Sequence, residues 1–186
     1  ILLLLSIFMR LFVGIPSPKE LQAAILEVQE RLKKTGADVK LVDVQNLHFT
    51  LKFLGEMDGT EEIKGELGKA AQKHSPFEIK VKGIGMFPGV VWVGTEKNLS
   101  FIALANDVLE ATEKFRKEDH AEIVPHLTIA RLKSQRNIKK LEDEIKKLKD
   151  KEFGSFKVYT FTLYESVLTR DGPVYNPIKV FNFNTK

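Results

Sequence analysis

The sequence predicts an α+β fold of two related lobes built on antiparallel sheets, and three observations carry that expectation. Strand-like and helix-like stretches follow one another in the order β-α-β-β-α-β-β-α-β-α-β-β, too mixed for a doubly wound parallel sheet. Adjacent strands meet at turn signals such as Pro88-Gly89 and the RDGP run at 170–173, the mark of hairpins. A His-x-Thr-apolar pattern opens at His48 and opens again at His126, one copy in each half of the chain. That repeat suggests duplicated, pseudo-symmetric lobes.

Each element has a local reason. RLFVGI (10–15) is an apolar run of strand formers closed by Pro16-Ser17-Pro18. Ser17 is placed to cap a helix with Pro18 at its first position; Leu21, Ile25, Val28 and Leu32 share its inner face and Gly36 ends it. Residues 39–57 hold one or two strands, stopped by Asp58-Gly59. Thr60 then caps a helix over 60–74 that turns Ile63, Leu67, Ala70 and Ala71 inward. Two strands fill 77–96, and an amphipathic helix runs from about Ser100 to Arg116. A strand at 124–133, a charged helix at 137–150 and strands at 156–169 and 175–183 complete the chain.

The bulk numbers describe an ordinary globular protein. The chain has 186 residues, 43% of them hydrophobic and 29% charged, enough for one compact unit. It carries four histidines and no cysteine, which excludes disulfides, thiolate metal sites and a cysteine nucleophile. A net charge of +4 suits an anionic partner without naming one. The apolar start ILLLLSIFM is cut short by Arg10, well below the ~20 residues that a membrane span needs. Residues 1–8 therefore read as an upstream extension, Met9 as the natural start and 9–186 as one bilobal domain. A soluble, cytoplasmic monomer is expected.

On a strand, alternate side chains share a face. His48 and Thr50 then project together while Phe49 and Leu51 enter the core, and His126 and Thr128 do the same against Leu127 and Ile129. Two such strands facing one cleft supply two imidazoles, able to act as acid and base near neutral pH. They also supply two hydroxyls that can donate to phosphate oxygens. Phosphoryl chemistry on a cyclic ester needs that set and no metal or other cofactor. One His-x-Thr on a strand is usually structural; two copies using half of the histidines are a stronger signal. His74, at the end of a polar helix, and His120, in an acidic loop, read as solvated surface. A metal site from Asp119, His120, Glu122 and His126 fits no familiar ligand spacing. Lys52 shares the parity of His48 and Thr50, and either touches an RNA backbone or is a solvated strand lysine. The run Arg131, Lys133, Arg136, Lys139, Lys140 either guides a nucleic-acid backbone or is a solvated connection.

NLHFTLKFLGE (46–56), GMFPGVVWVG (85–94), VPHLTIARL (124–132) and LYESVLTRDGPVYNPI (163–178) together resemble the RNA 2′,3′-cyclic phosphodiesterases, also called 2′-5′ RNA ligases, of the two-histidine phosphoesterase superfamily. The resemblance spans about Met9 to Phe183. It implies a central cleft lined by two antiparallel sheets with helices outside. It implies metal-independent hydrolysis of a terminal 2′,3′-cyclic phosphate on tRNA-like RNA to a 2′-phosphate, with reversible 2′-5′ ligation in some relatives. By that resemblance His48 is the proton donor, His126 the proton acceptor, and Thr50, Thr128 and Arg131 hold the phosphate. Strict alternation gives Arg131 the wrong parity, so a bulge or twist must turn it into the cleft. The residues alone do not say which histidine is acid and which base. They leave open an RNA-end-binding protein and a phosphodiesterase of small cyclic nucleotides.

Overall fold

The computed structural model describes residues 8–116, 123–170 and 172–185. The leading segment lies outside them apart from Phe8, which opens β1 (Phe8–Pro16). The other strands are β2 (Val39–Leu41), β3 (His48–Asp58), β4 (Phe77–Phe87), β5 (Val90–Thr95), β6 (His126–Leu132), β7 (Glu152–Val158), β8 (Thr160–Leu168) and β9 (Pro173–Asn182). The helices are α1 (Gln22–Lys34), α2 (Glu61–Gln72), α3 (Leu99–Thr112) and α4 (Ile138–Leu148).

Among the described residues the nine strands form one curled antiparallel sheet in the order β7-β4-β5-β6-β3-β1-β8-β9, with β2 beside β6. Its middle is narrow. β3 meets β6 at a single pair, Phe49 against Leu127, whereas β1 and β3 pair along nine residues. The sheet therefore divides into two lobes at the motif strands. Lobe one holds β3, β1, β8 and β9, with α2 and α3 packed on each other and on it. Lobe two holds β7, β4, β5, β6 and β2, with α1 and α4.

The α+β, two-lobed expectation holds, but the lobes are not successive halves of the chain: each draws strands and helices from both. That exchange explains one misreading. Residues 156–169 look like one strand, yet the chain breaks at Tyr159, which is 53% exposed. β7 pairs with β4 in lobe two, and β8 pairs with β1 and β9 in lobe one. The run is a crossing between lobes.

Helix starts differ from expectation at both predicted caps. Ser17 does not cap α1; a 3-10 turn at Lys19–Leu21 precedes the helix. The Ser17 hydroxyl is buried without a partner among the described residues, while its N–H donates to the Leu47 carbonyl at 2.9 Å. Thr60 precedes α2 but its hydroxyl makes no cap bond; Glu61 and Glu62 in the first turn supply the favourable charge there instead. Asn98 is a genuine cap, its side chain accepting from the Phe101 N–H at 2.9 Å. α3 stops at Thr112 rather than Arg116; the Thr112 hydroxyl turns back to donate to the Val108 carbonyl at 2.7 Å.

Candidate active site: two histidines over one cleft

Both motif strands keep the predicted alternation. Phe49, Leu51, Leu127 and Ile129 are in the core. His48, Thr50, His126 and Thr128 are half-buried on the other face and line one cavity of about 1540 Å³. In each motif the imidazole is oriented by the backbone two residues earlier. His48 Nδ1 donates to the Asn46 carbonyl at 2.8 Å, and His126 Nδ1 donates to the Val124 carbonyl at 2.7 Å. A carbonyl only accepts, so Nδ1 carries the hydrogen and Nε2 is left for chemistry in both rings. Asn46 is itself anchored, its amide donating to the Pro173 carbonyl at 2.9 Å.

The β5–β6 register supplies the bulge that Arg131 needs. Trp92 pairs with Thr128 but Val91 with Ala130, leaving Ile129 as the extra residue. Beyond it parity inverts: Ala130 is buried and Arg131 is exposed on the cavity wall. The irregular backbone is paired. The Ile129 carbonyl accepts from Gln29 Nε2 at 2.9 Å and from the Val42 N–H at 3.0 Å, so Gln29 is buried for a stated purpose. β3 repeats the device, because Thr50 pairs with Gly14 and Lys52 with Val13, making Leu51 the extra residue. Lys52 therefore loses the parity of His48 and Thr50. It is 2% exposed, a correction to its reading as a solvated strand lysine, though it still lines the cavity beside Thr50; Phe53, 50% exposed, takes the position equivalent to Arg131.

The two histidines are not equivalent. His48 packs against Phe12, with ring centroids 4.7 Å apart, and edge-on against Tyr175 at 5.2 Å. A Cβ on Gly14 would meet His48 Cδ2 at 3.2 Å and the Phe49 carbonyl at 3.1 Å, so a side chain there would press on the ring and its strand. Burial pushes the His48 pKa below the ordinary imidazole value of 6.5; its bond to Asn46 opposes this, and the charges of Arg131 and His126 add to it. His126 has Phe87 edge-on at 5.3 Å. Burial pushes the Tyr175 hydroxyl up, while Arg131 and Arg10 pull it back.

Composition and spacing did not single out Asn46, Phe87, Arg10, Lys40 or Tyr175, all of which line the cavity. Asn46, Phe87 and Tyr175 belong to the motif stretches; Arg10 and Lys40 carried no such signal. Of the basic run after the second motif, Arg131 alone lines the cleft among the described residues. His74 is not solvated surface: its ring is 10% exposed and its Nε2 lies 2.7 Å from Asp107 Oδ2. Asp119, His120 and Glu122 lie outside the described residues, and among those described no cluster of three or more metal-ligating side chains occurs. No described helix is long and apolar enough to cross a membrane.

Two His-x-Thr arms converging on one cleft from a split antiparallel sheet define a two-histidine α+β protein. Residues 16–169 match the 2′-5′ RNA ligase superfamily. The chain is 40% identical over 176 residues to the RNA 2′,3′-cyclic phosphodiesterase of Methanocaldococcus jannaschii, covering 92% of this chain and 99% of that one. It is 35% identical to the protein of the same name from Methanothermobacter thermautotrophicus, covering 92% and 97%. The crystal structure of TT0787 of Thermus thermophilus superimposes with a TM-score of 0.79 at 28% identity, covering 96% of this chain and all of that one. The chain belongs to the 2′-5′ RNA ligase superfamily.

Proposed function

We propose that the protein hydrolyses a terminal 2′,3′-cyclic phosphate on RNA to a 2′-phosphate by acid–base catalysis between His48 and His126. The observation that carries this reading is the matched pair of Nδ1–carbonyl bonds, which leaves two Nε2 atoms for one cavity beside Thr50 and Thr128. The names of the relatives point to the same substrate.

In this reading water attacks phosphorus while His126 Nε2 takes its proton. His48 Nε2–H gives a proton to the departing 3′ oxygen as the P–O3′ bond breaks. Thr50, Thr128 and Arg131 donate to the non-bridging oxygens as charge builds on them. The burial that lowers the His48 pKa makes its protonated form a stronger acid, suited to an alkoxide leaving group. Turnover ends with the proton on His126 rather than His48, and exchange with solvent resets the pair. With the 5′-hydroxyl of a second RNA in place of water, the same arrangement joins two ends through a 2′-5′ linkage, which the superfamily's description favours as a second activity. The inferred setting is cytoplasmic, and the inferred partner is a tRNA-like RNA end taken by a monomer.

The test is incubation with an RNA oligonucleotide ending in 2′,3′-cyclic phosphate in excess EDTA. A 2′-phosphate product that disappears in His48→Ala and in His126→Ala is expected. A 3′-phosphate product, or turnover surviving either change, refutes the mechanism.

A further inference from the structure

The cleft wall of lobe one carries a polar row that the proposed reaction leaves unused. Arg10 on β1, Ser166 on β8 and Tyr175 on β9 all line the cavity. Ser166 and Tyr175 are register partners. The β1–β8 register sets Phe12 against Tyr164 and Leu11 against Glu165, and so runs on toward Arg10 and Ser166. The three residues thus form a row across three neighbouring strands. Arg10 is exposed and has no ion pair among the described residues, although Glu56 is its partner in register on β3. The Tyr175 hydroxyl has no hydrogen-bond partner among the described residues, and the charges of both Arg10 and Arg131 reach it.

Of the three guanidiniums that line the cavity, Arg116 donates to the Leu54 carbonyl at 3.3 Å, while Arg10 and Arg131 have no ion pair or side-chain hydrogen bond among the described residues. These two can hold more than one negative charge, and a terminal cyclic phosphate carries one. Gly14 is the register partner of Thr50, and Arg10 stands about 13 Å further along β1 at the usual rise of a strand. Arg10 therefore lies beyond the phosphate assigned to Thr50 and Thr128. On an RNA chain the next anion is the phosphodiester on the 5′ side of the terminal nucleotide.

We propose that Arg10, Ser166 and Tyr175 form a second anion subsite that takes this preceding phosphodiester and so selects an RNA chain over a free cyclic nucleotide. The subsite rests on the hydrolytic reading above. Arg10 supplies a charge-assisted donor, and the two hydroxyls supply neutral ones.

The test compares kcat/KM for a mononucleoside 2′,3′-cyclic phosphate and for a dinucleotide with the same terminal residue. Wild type prefers the dinucleotide, and Arg10→Gln lowers its kcat/KM on the order of tenfold more than that of the mononucleotide, the effect of one charge-assisted hydrogen bond. Tyr175→Phe, which keeps the ring beside His48, erodes the preference in the same direction. Equal losses on both substrates, or no preference in wild type, overturn the subsite. If neither substrate turns over, the hydrolytic reading fails separately. Calorimetric binding of the nucleoside 2′-monophosphate and the matching dinucleotide then decides the subsite. Tighter dinucleotide binding that Arg10→Gln abolishes supports it, and equal binding overturns it.

Discussion

Phe49 and Leu127, the middle residues of the two His-x-Thr triplets, form the single pair that joins β3 to β6, and both are completely buried. The join between the lobes and the spacing of the two catalytic candidates are thus one feature. Each side chain anchors a strand from behind while its neighbours present imidazole and hydroxyl to the cleft.

That join makes a prediction about stability. Phe49→Ala should cost about 3–5 kcal/mol and Leu127→Ala about 2–5 kcal/mol, from lost burial and the cavity left behind. Because the residues touch through one pair, the double variant should depart from additivity. Urea unfolding of the two single variants and the double variant measures this; simple additivity would mean that the lobes are held independently.

The roles of the two histidines are separable by leaving group. A nitrophenolate needs no proton, so His48→Ala should recover about 10²–10⁴-fold on a nitrophenyl phosphodiester relative to the RNA substrate. His126→Ala should show no such recovery. The reverse pattern would exchange donor and acceptor.

The buried His48 also sets an expectation for pH. Its folded-state pKa lies below the unfolded value of 6.5, so between the two the unfolded chain binds more protons and stability rises with pH. The contribution is complete above about pH 6.5 and is lost as pH falls through the folded-state value. Unfolding free energies at pH 7.5 and pH 5 should differ more for wild type than for His48→Gln. In kinetics the singly protonated pair is the active form whichever ring holds the proton, so the acid limb of kcat/KM should lie below 6.5. An acid limb above that value would contradict the burial argument.

Gln29 acts on the site through the bulge. Its amide donates to the Ile129 carbonyl at 2.9 Å and to the Val42 carbonyl at 2.7 Å, and the bulge at Ile129 turns Arg131 into the cleft. Gln29→Leu should destabilise the fold by about 1–3 kcal/mol, because the Val42 carbonyl loses its donor and the Ile129 carbonyl keeps only the Val42 N–H. It should also lower kcat/KM, with little further loss when Arg131→Ala is added. Independent losses in the double variant would show that Gln29 is structural only.

Asp107 offers a control away from the cleft. It bonds His74 at 2.7 Å and Lys73 at 2.9 Å, and these bonds outweigh its burial to hold its pKa below the usual value. Asp107→Ala should cost about 1–3 kcal/mol in urea unfolding, chiefly by stripping the partner from a half-buried imidazole. Steady-state turnover below the new unfolding transition should be unaffected.

Much of the site was legible in advance because period-2 alternation is a local property. His48, Thr50, His126 and Thr128 could be assigned to one face from spacing alone, and the need for a bulge before Arg131 followed from its odd parity. The bulge after Thr50 had no such signal, since nothing in the chain required Lys52 to be buried. The environment of His74 was equally hidden, because Asp107 sits on another helix.

By itself the sequence determined the order of elements up to the last helix, the antiparallel character, and two strands each offering an imidazole and a hydroxyl opposite apolar anchors. Those properties rest on neighbours one to four residues apart. Only the tertiary structure decided that the lobes exchange strands, that β7 and β8 part at Tyr159, and that His48 is packed by Phe12 and Tyr175 while His126 meets Phe87. The symmetry between HFTL and HLTI is broken by residues distant in the chain. Burial and charge act through space, and only packing brings those residues to the ring.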